Sequence, residues 1–208
     1  MKFEKDLVCH PCHHGKMVVA SHRPVNQVMT KEPDELLYMD IVGLAWVRSD
    51  GGKWYILVIV DDFSHYSSVF FMEGKVEAFS LARDLILRLQ NEFPNNAMRA
   101  IHSDNGTEFK NTHFETFCPS LGLEHQFSSP YVPQQNGVVE RKNRTLVEMA
   151  RTMLDEHRTP RRYWAKAINT TCHVSYRIFL RAFMKNTSYE LRFGRPPKVS
   201  HFRVFGCK

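Results

Sequence analysis

Hydrophobic and polar positions divide the first half of the chain into short apolar runs separated by turn formers. Residues 1–35 hold no sustained period and carry the dipeptides "RP" and "EP". From Leu36 to Val47 the residues are mostly apolar; "RSDGGK" then supplies a turn, and "WYILVIV" reads as a strongly buried strand. Asp50-Gly51-Gly52 is good hairpin chemistry, because glycine tolerates positive φ. "DDFSHY" makes a second turn and "SSVFFM" a third strand, so three consecutive antiparallel strands are expected. A tip at Asp50-Gly51 would set residue 61 roughly opposite residue 40.

The period then changes. In "KVEAFSLARDLILRLQNEF", Phe79, Ala82, Leu85, Ile86 and Leu89 recur at helical spacing, and Pro94 with Asn95-Asn96 stops the pattern. "MRAIHS" reads as a short strand, "NTHFETFCPSLG" as a helix and "LEHQFS" as a further strand. "SSPYVPQQNG" has no period and reads as a mobile loop. The longest helix is expected over 138–157, with Val139, Leu146, Met149, Ala150 and Met153 on one face. Pro160 opens another helix to about residue 176. The tail from Phe183 reads as mostly irregular and basic. Hairpins first and strand–helix alternation afterwards give an α/β fold, a mixed sheet with helices packed on it. No internal repeat competes with this single-domain picture.

Composition narrows the class. At 208 residues, with 43% hydrophobic and 24% charged residues, the chain has the make-up of a soluble globular protein with one sizeable core. No apolar run reaches the length of a membrane span, and "MKFEKDLVCH" lacks a secretory signal. The five cysteines are odd in number and scattered, which suits a reducing, intracellular setting. Charge is distributed unevenly. Residues 1–140 carry 12 Lys/Arg against 18 Asp/Glu, and residues 141–208 carry 16 against 4. A basic block of that density suits a polyanionic partner, with a solvated face as the plainer alternative.

Asp40, Asp104 and Glu140 carry the candidate chemistry. Asp40 lies among apolar neighbours, where an unpaired carboxylate is costly and a cation partner is favoured. Asp104 closes the run "RAIHSD"; its plainer reading is a turn aspartate before Asn105-Gly106. Glu140 opens the long helix, where the helix dipole alone would favour an acid. Carboxylates on separate rigid elements can converge on a pair of Mg²⁺ or Mn²⁺ ions that clamp an in-line phosphoryl displacement. Asp61 and Asp62 are expected to serve the turn. Beyond Glu140, Lys142, Asn143 and Arg144, with the loop residues Gln134, Gln135 and Asn136, are candidates for touching DNA.

The strings "GGKWYILVIVDDFS", "HSDNGTEF", "PQQNGVVERKNRTLVEMARTML", "YWAKAINT" and "FRVFGCK" resemble the integrase region of Ty1/copia-type long-terminal-repeat retrotransposons, plant elements above all. They run in that family's order over nearly the whole chain. The resemblance implies a ribonuclease-H-like fold with a mixed five-stranded sheet, as in the retroviral integrase superfamily. It implies a polynucleotidyl transferase that trims and joins cDNA ends to target DNA with divalent metal and no covalent protein intermediate. The triad carries over to Asp40, Asp104 and Glu140; DNA, a homo-multimer and a nuclear location follow as expectations. His102 stands where the family more often has Arg, and a surface role or one behind the metal ligands is expected.

Cys9 and Cys12 resemble the cysteine half of the family's His-His-Cys-Cys zinc module. Only eight residues precede Cys9, and His10, His13 and His14 crowd the loop, so little or no Zn²⁺ binding is expected. The chain reads as a truncated zinc-module remnant (1–24), a catalytic core (30–165) and a truncated basic extension (166–208). Val132 and Ser188 replace a usual Thr and Pro, which suggests a fragment or degenerate copy. Two functions are therefore expected in competition: a metal-dependent transferase, or a non-catalytic DNA-binding remnant or domesticated module. A nuclease on the same fold is disfavoured by the string around Glu140.

Overall fold

The structure is a computed structural model that describes residues 30–43, 45–92, 98–128, 136–181 and 184–207. Its elements are β1 (Leu36–Val42), β2 (Tyr55–Asp61), β3 (Ser67–Met72), α1 (Ala78–Glu92), β4 (Ala100–Ser103), α2 (Thr112–Ser120), β5 (Glu124–Phe127), α3 (Gly137–Glu156), α4 (Trp164–Ile178) and α5 (Ser188–Phe193). The strands form one mixed sheet in the order β3-β2-β1-β4-β5. Neighbours β1–β2 and β2–β3 run antiparallel; β1–β4 and β4–β5 run parallel.

Strand alternation sorts the apolar residues onto two faces. Leu37, Met39, Leu57, Ile59 and Ile101 pack with Ala82, Leu85, Ile86 and Leu89 of α1 and Phe114 and Cys118 of α2. Leu36, Tyr38, Val58, Val60 and Ala100 pack with Val139, Leu146, Ala150 and Leu154 of α3 and Ala167, Ile168, Cys172 and Tyr176 of α4. Helices thus cover both faces, as expected for the fold class. Among the described residues no helix is long and apolar enough to cross a membrane.

The hairpin register differs from the sequence expectation by three residues. Leu37 faces Asp61, and Asp40 faces Val58. The cause is local. Ala45 N–H donates to the Trp54 carbonyl at 2.9 Å, and Ser49 N–H to the Lys53 carbonyl at 3.0 Å. Between these two bonds the outgoing arm spends Trp46, Val47 and Arg48, and the returning arm spends nothing. This three-residue bulge moves Asp61 away from Asp40. Asp61 instead accepts from Asp34 N–H and Ser64 N–H, both at 2.8 Å, and from the Ser64 hydroxyl. Asp62 accepts from the Thr30 hydroxyl at 2.9 Å. Asp61 therefore holds the β2–β3 connection, and Asp62 ties the segment before β1 to it.

The tail also holds more order than its pattern predicts. Thr187 Oγ1 accepts from Glu190 N–H at 3.1 Å while the Glu190 carboxylate accepts from Thr187 N–H at 2.8 Å, a reciprocal cap that starts α5. Gly194, at φ 64, ends it in the left-handed conformation that favours glycine. From α5, Arg192 forms a buried ion pair with Asp34 and lies 4.7 Å from the Tyr66 ring. Arg181 donates to the Asp62 carbonyl at 3.1 Å and to His65 Nδ1 at 2.8 Å.

Candidate active site

Asp40 belongs to the alternating column Leu36, Tyr38, Asp40 on the α3 side of β1, and sits half-buried where that column runs out of apolar cover. Ile41 N–H donates to its Oδ1 at 2.8 Å, and Asn143 Nδ2 to its Oδ2 at 2.7 Å. Asp104 directly follows β4, the parallel neighbour of β1. Tyr38–His102 is the last pair between these strands; Asp40 lies two residues past Tyr38, and Asp104 two past His102, just beyond the end of β4. Glu140 stands in the first turn of α3, one helical step before Asn143.

The Asp40 carboxyl senses the other two acids. Burial raises the Asp40 carboxyl to about 6; the charges of Asp104 and Glu140 push the same way, against the bonds from Ile41 and Asn143. Glu140 is solvent-exposed, and among the described residues no three His, Cys, Asp or Glu side chains close on a single point. Like charges at one strand end repel until a cation offsets them. As a set of hard oxygen donors with excess negative charge, the trio suits Mg²⁺ or Mn²⁺.

Two neighbours escaped sequence reasoning. Glu108 pairs with Lys75 at 2.8 Å, and Gly106 lies between Glu108 and Asp104. A Cβ on Gly106 would come within 2.7 Å of the Glu108 carboxylate and 3.0 Å of Asp104 Oδ1, so only glycine fits without a shift. Gly106 N–H also donates to Asp104 Oδ1 at 3.0 Å. Exposed Arg141 was missed as well, although it adjoins Glu140 in sequence.

The candidates for DNA contact separate. Arg144 is exposed, one helical turn past Glu140 on α3. Lys142 is half-buried: two residues past Glu140 it points around the helix to α4, where its Nζ meets Ser175 Oγ at 3.3 Å and burial lowers its affinity for a proton. Asn143 is buried against Asp40, and Asn136 is buried just before α3. Gln134, Gln135, Cys9, Cys12, His10, His13 and His14 lie outside the described residues. His102 is buried, not on the surface. Its ring lies tilted at 58° against Tyr38 with ring centres 5.2 Å apart, its Nε2 is 3.1 Å from Ser128 Oγ, and burial lowers its proton affinity. Cys118 and Cys172 are buried free thiols, and Cys207 is an exposed one.

Residues 30–133 match the integrase core domain family. The chain is 30% identical, over its whole length, to the retrovirus-related Pol polyprotein from transposon TNT 1-94 of Nicotiana tabacum, and 28% identical over 98% of its length to that from transposon RE2 of Arabidopsis thaliana. It spans 16% and 14% of those polyproteins. The HTLV-2 integrase catalytic core domain in complex with magnesium shares the fold at TM-score 0.56 and 20% identity, covering 77% of this chain and 97% of that one. A simian T-cell lymphotropic virus intasome in complex with PP2A regulatory subunit B56 gamma matches at TM-score 0.63 and 20% identity, covering 96% of this chain and 73% of that one. With its five-stranded sheet between helices and these relatives, the chain belongs to the integrase core domain family, in the branch of the Pol polyproteins of plant copia-type retrotransposons.

Proposed function

We propose that this core catalyses metal-dependent DNA strand transfer, with Asp40, Asp104 and Glu140 as the metal-holding acids. The observation that supports the reading is the Asn143–Asp40 bond, which ties the Glu140 helix to β1, together with the charges of Asp104 and Glu140 acting on the Asp40 carboxyl. Bound Mg²⁺ or Mn²⁺ would supply Lewis acidity for a hydroxyl nucleophile and offset charge on the phosphate. The chain's own residues position and shield. Asn143 keeps one Asp40 oxygen oriented, Gly106 N–H orients Asp104, and exposed Arg141 and Arg144 would receive DNA phosphates. No side-chain nucleophile is needed.

DNA ends and target DNA are the proposed substrates, with a homo-multimer as the working form and the nucleus as its site. The multimeric forms of the HTLV-2 core and the intasome support the assembly part of this reading. A second reading, DNA binding without catalysis, rests on the basic block of residues 141–208, which carries 16 Lys/Arg against 4 Asp/Glu. Incubation with a branched oligonucleotide and Mn²⁺ or Mg²⁺ separates the two. Joined product that disappears in Asp104→Asn supports the transferase; metal-independent binding without product supports the binding module.

A further inference from the structure

The bulge between β1 and β2 carries Trp46, which is 95% exposed. An indole is normally among the more deeply covered side chains, and a fully presented one marks a contact surface. This one stands on a held platform. Trp164 Nε1 donates to the Val47 carbonyl at 2.8 Å, and Asp50 N–H to the Arg162 carbonyl at 2.9 Å. These bonds fix the bulge against the Arg161–Tyr163 turn that opens α4.

That turn is cationic. Arg162 and Lys166 lie over the Tyr163 ring at 5.1 and 5.6 Å, and Arg161 is exposed with no carboxylate partner among the described residues. The nearby acids are engaged: Asp50 is 3.9 Å from Lys166, and Glu73 is 2.7 Å from Arg48. A prearranged aromatic face beside surplus guanidinium charge is the combination that grips an unpaired nucleic-acid strand, bases by stacking and phosphates by charge. A duplex keeps its base faces covered, so the indole selects for single strands. A second copy of this chain is a poor occupant, since a two-fold contact here would set the arginines against their like.

We propose that Trp46, Arg161 and Arg162 form a binding surface for single-stranded nucleic acid, in which Trp46 stacks on an unpaired base. The surface goes beyond the transferase reading and requires none of its three acids. It leaves the sheet from the same end, because β1 and β4 are parallel and the bulge follows β1 as Asp104 follows β4.

The test titrates the full chain in EDTA with oligothymidylate, oligouridylate, a blunt duplex and heparin, following tryptophan fluorescence and anisotropy at several salt concentrations. Both single strands should quench the emission, and the tighter of the two identifies DNA or RNA as the source. Trp46→Ala should remove most of the quench and weaken single-strand binding about five-fold or more. Arg161→Glu with Arg162→Glu should lower the magnitude of the log–log salt slope by roughly 1 to 1.5. Heparin, which has charge and no bases, should bind without quenching. Unaltered oligothymidylate affinity in Trp46→Ala, at an unaltered melting temperature, overturns the proposal. So does a quench that heparin reproduces, or a Trp46→Ala effect confined to self-association in sedimentation. Asp104→Asn should retain the quench, so a failed joining assay leaves this surface standing and a failed quench leaves the transferase reading standing.

Discussion

Asn143 reaches from α3 to β1 and places its amide nitrogen 2.7 Å from Asp40 Oδ2. The helix bearing Glu140 is thereby tied to the strand bearing Asp40. Groups that orient metal ligands typically matter about 10- to 100-fold for metal affinity or activity. Asn143→Ala is expected to lower metal-dependent joining by that order and raise the Mn²⁺ concentration needed for half-maximal rate. Excess Mn²⁺ should recover part of the loss. A joining rate and metal dependence equal to those of the native chain would remove Asn143 from the site.

The Asp40 carboxyl sits near 6, above its ordinary 3.8, chiefly through burial and then through Asp104 and Glu140. The folded state therefore holds this proton more tightly than the unfolded chain. The sign follows: protonated Asp40 carries no penalty below about 3.8, and stability is lost as pH rises from there through 6. In thermal melts with EDTA, the native chain should lose stability relative to Asp40→Asn over that window, with a flat difference above it. A difference independent of pH would contradict the coupled-acid description.

Lys142 and Arg144 give opposite expectations although they are two residues apart. Arg144→Glu should weaken DNA binding and lower the magnitude of the salt slope by about 1 or more. Lys142→Met keeps the stem that packs toward α4 and loses a buried ammonium whose polar contact is Ser175. DNA affinity should be unchanged, with stability equal or slightly raised. Filter binding and urea melts of the two variants check this.

A methyl group at Gly106 would meet the carboxylate ends of Glu108 and Asp104 at 2.7 and 3.0 Å, so one of the two side chains must move. Gly106→Ala should displace one of the two carboxylates and reduce joining at limiting Mn²⁺, with a small effect on the melting temperature. Full activity at limiting metal would show that the loop yields without moving Asp104.

Arg192 and Asp34 are 5% and 2% exposed, and breaking such a pair from one side typically costs about 3–5 kcal/mol. Arg192→Met is expected to destabilise the fold by that order in urea titration. Asp34→Leu combined with Arg192→Met should recover much of the loss. Destabilisation under about 1 kcal/mol in the single variant would show that the pair is dispensable.

The alternation in "LLYMDIV" and "YILVIVD", the helical spacing of "AFSLARDLILRLQNE" and the apolar face of the helix that Glu140 opens made most of the sheet and its helices legible in the sequence. The hairpin register was not, because the turn signal at Asp50-Gly51-Gly52 marks the tip but is blind to unequal arms. Trp46, Val47 and Arg48 have the polarity of an ordinary loop, and only backbone pairing reveals them as a bulge. α5 was missed although Thr187-Ser188-Tyr189-Glu190 spells a capping box; six residues are too few to display a period. The burial of Lys142 was hidden because helix phase shows which way a side chain leaves, while the neighbour waiting there, α4, is a matter of tertiary packing.

The pairing of Asp34 with a residue 158 positions later has a consequence for how the molecule is made. A ribosome delivers the strand-opening segment long before the guanidinium that neutralises it. Until α5 emerges, the nascent sheet carries an unmatched carboxyl at one of its most secluded points, so the final structure cannot settle while its last short helix is still being synthesised. A product interrupted before α5 would keep the three acids yet lack the guanidinium that pairs with Asp34 beneath their scaffold.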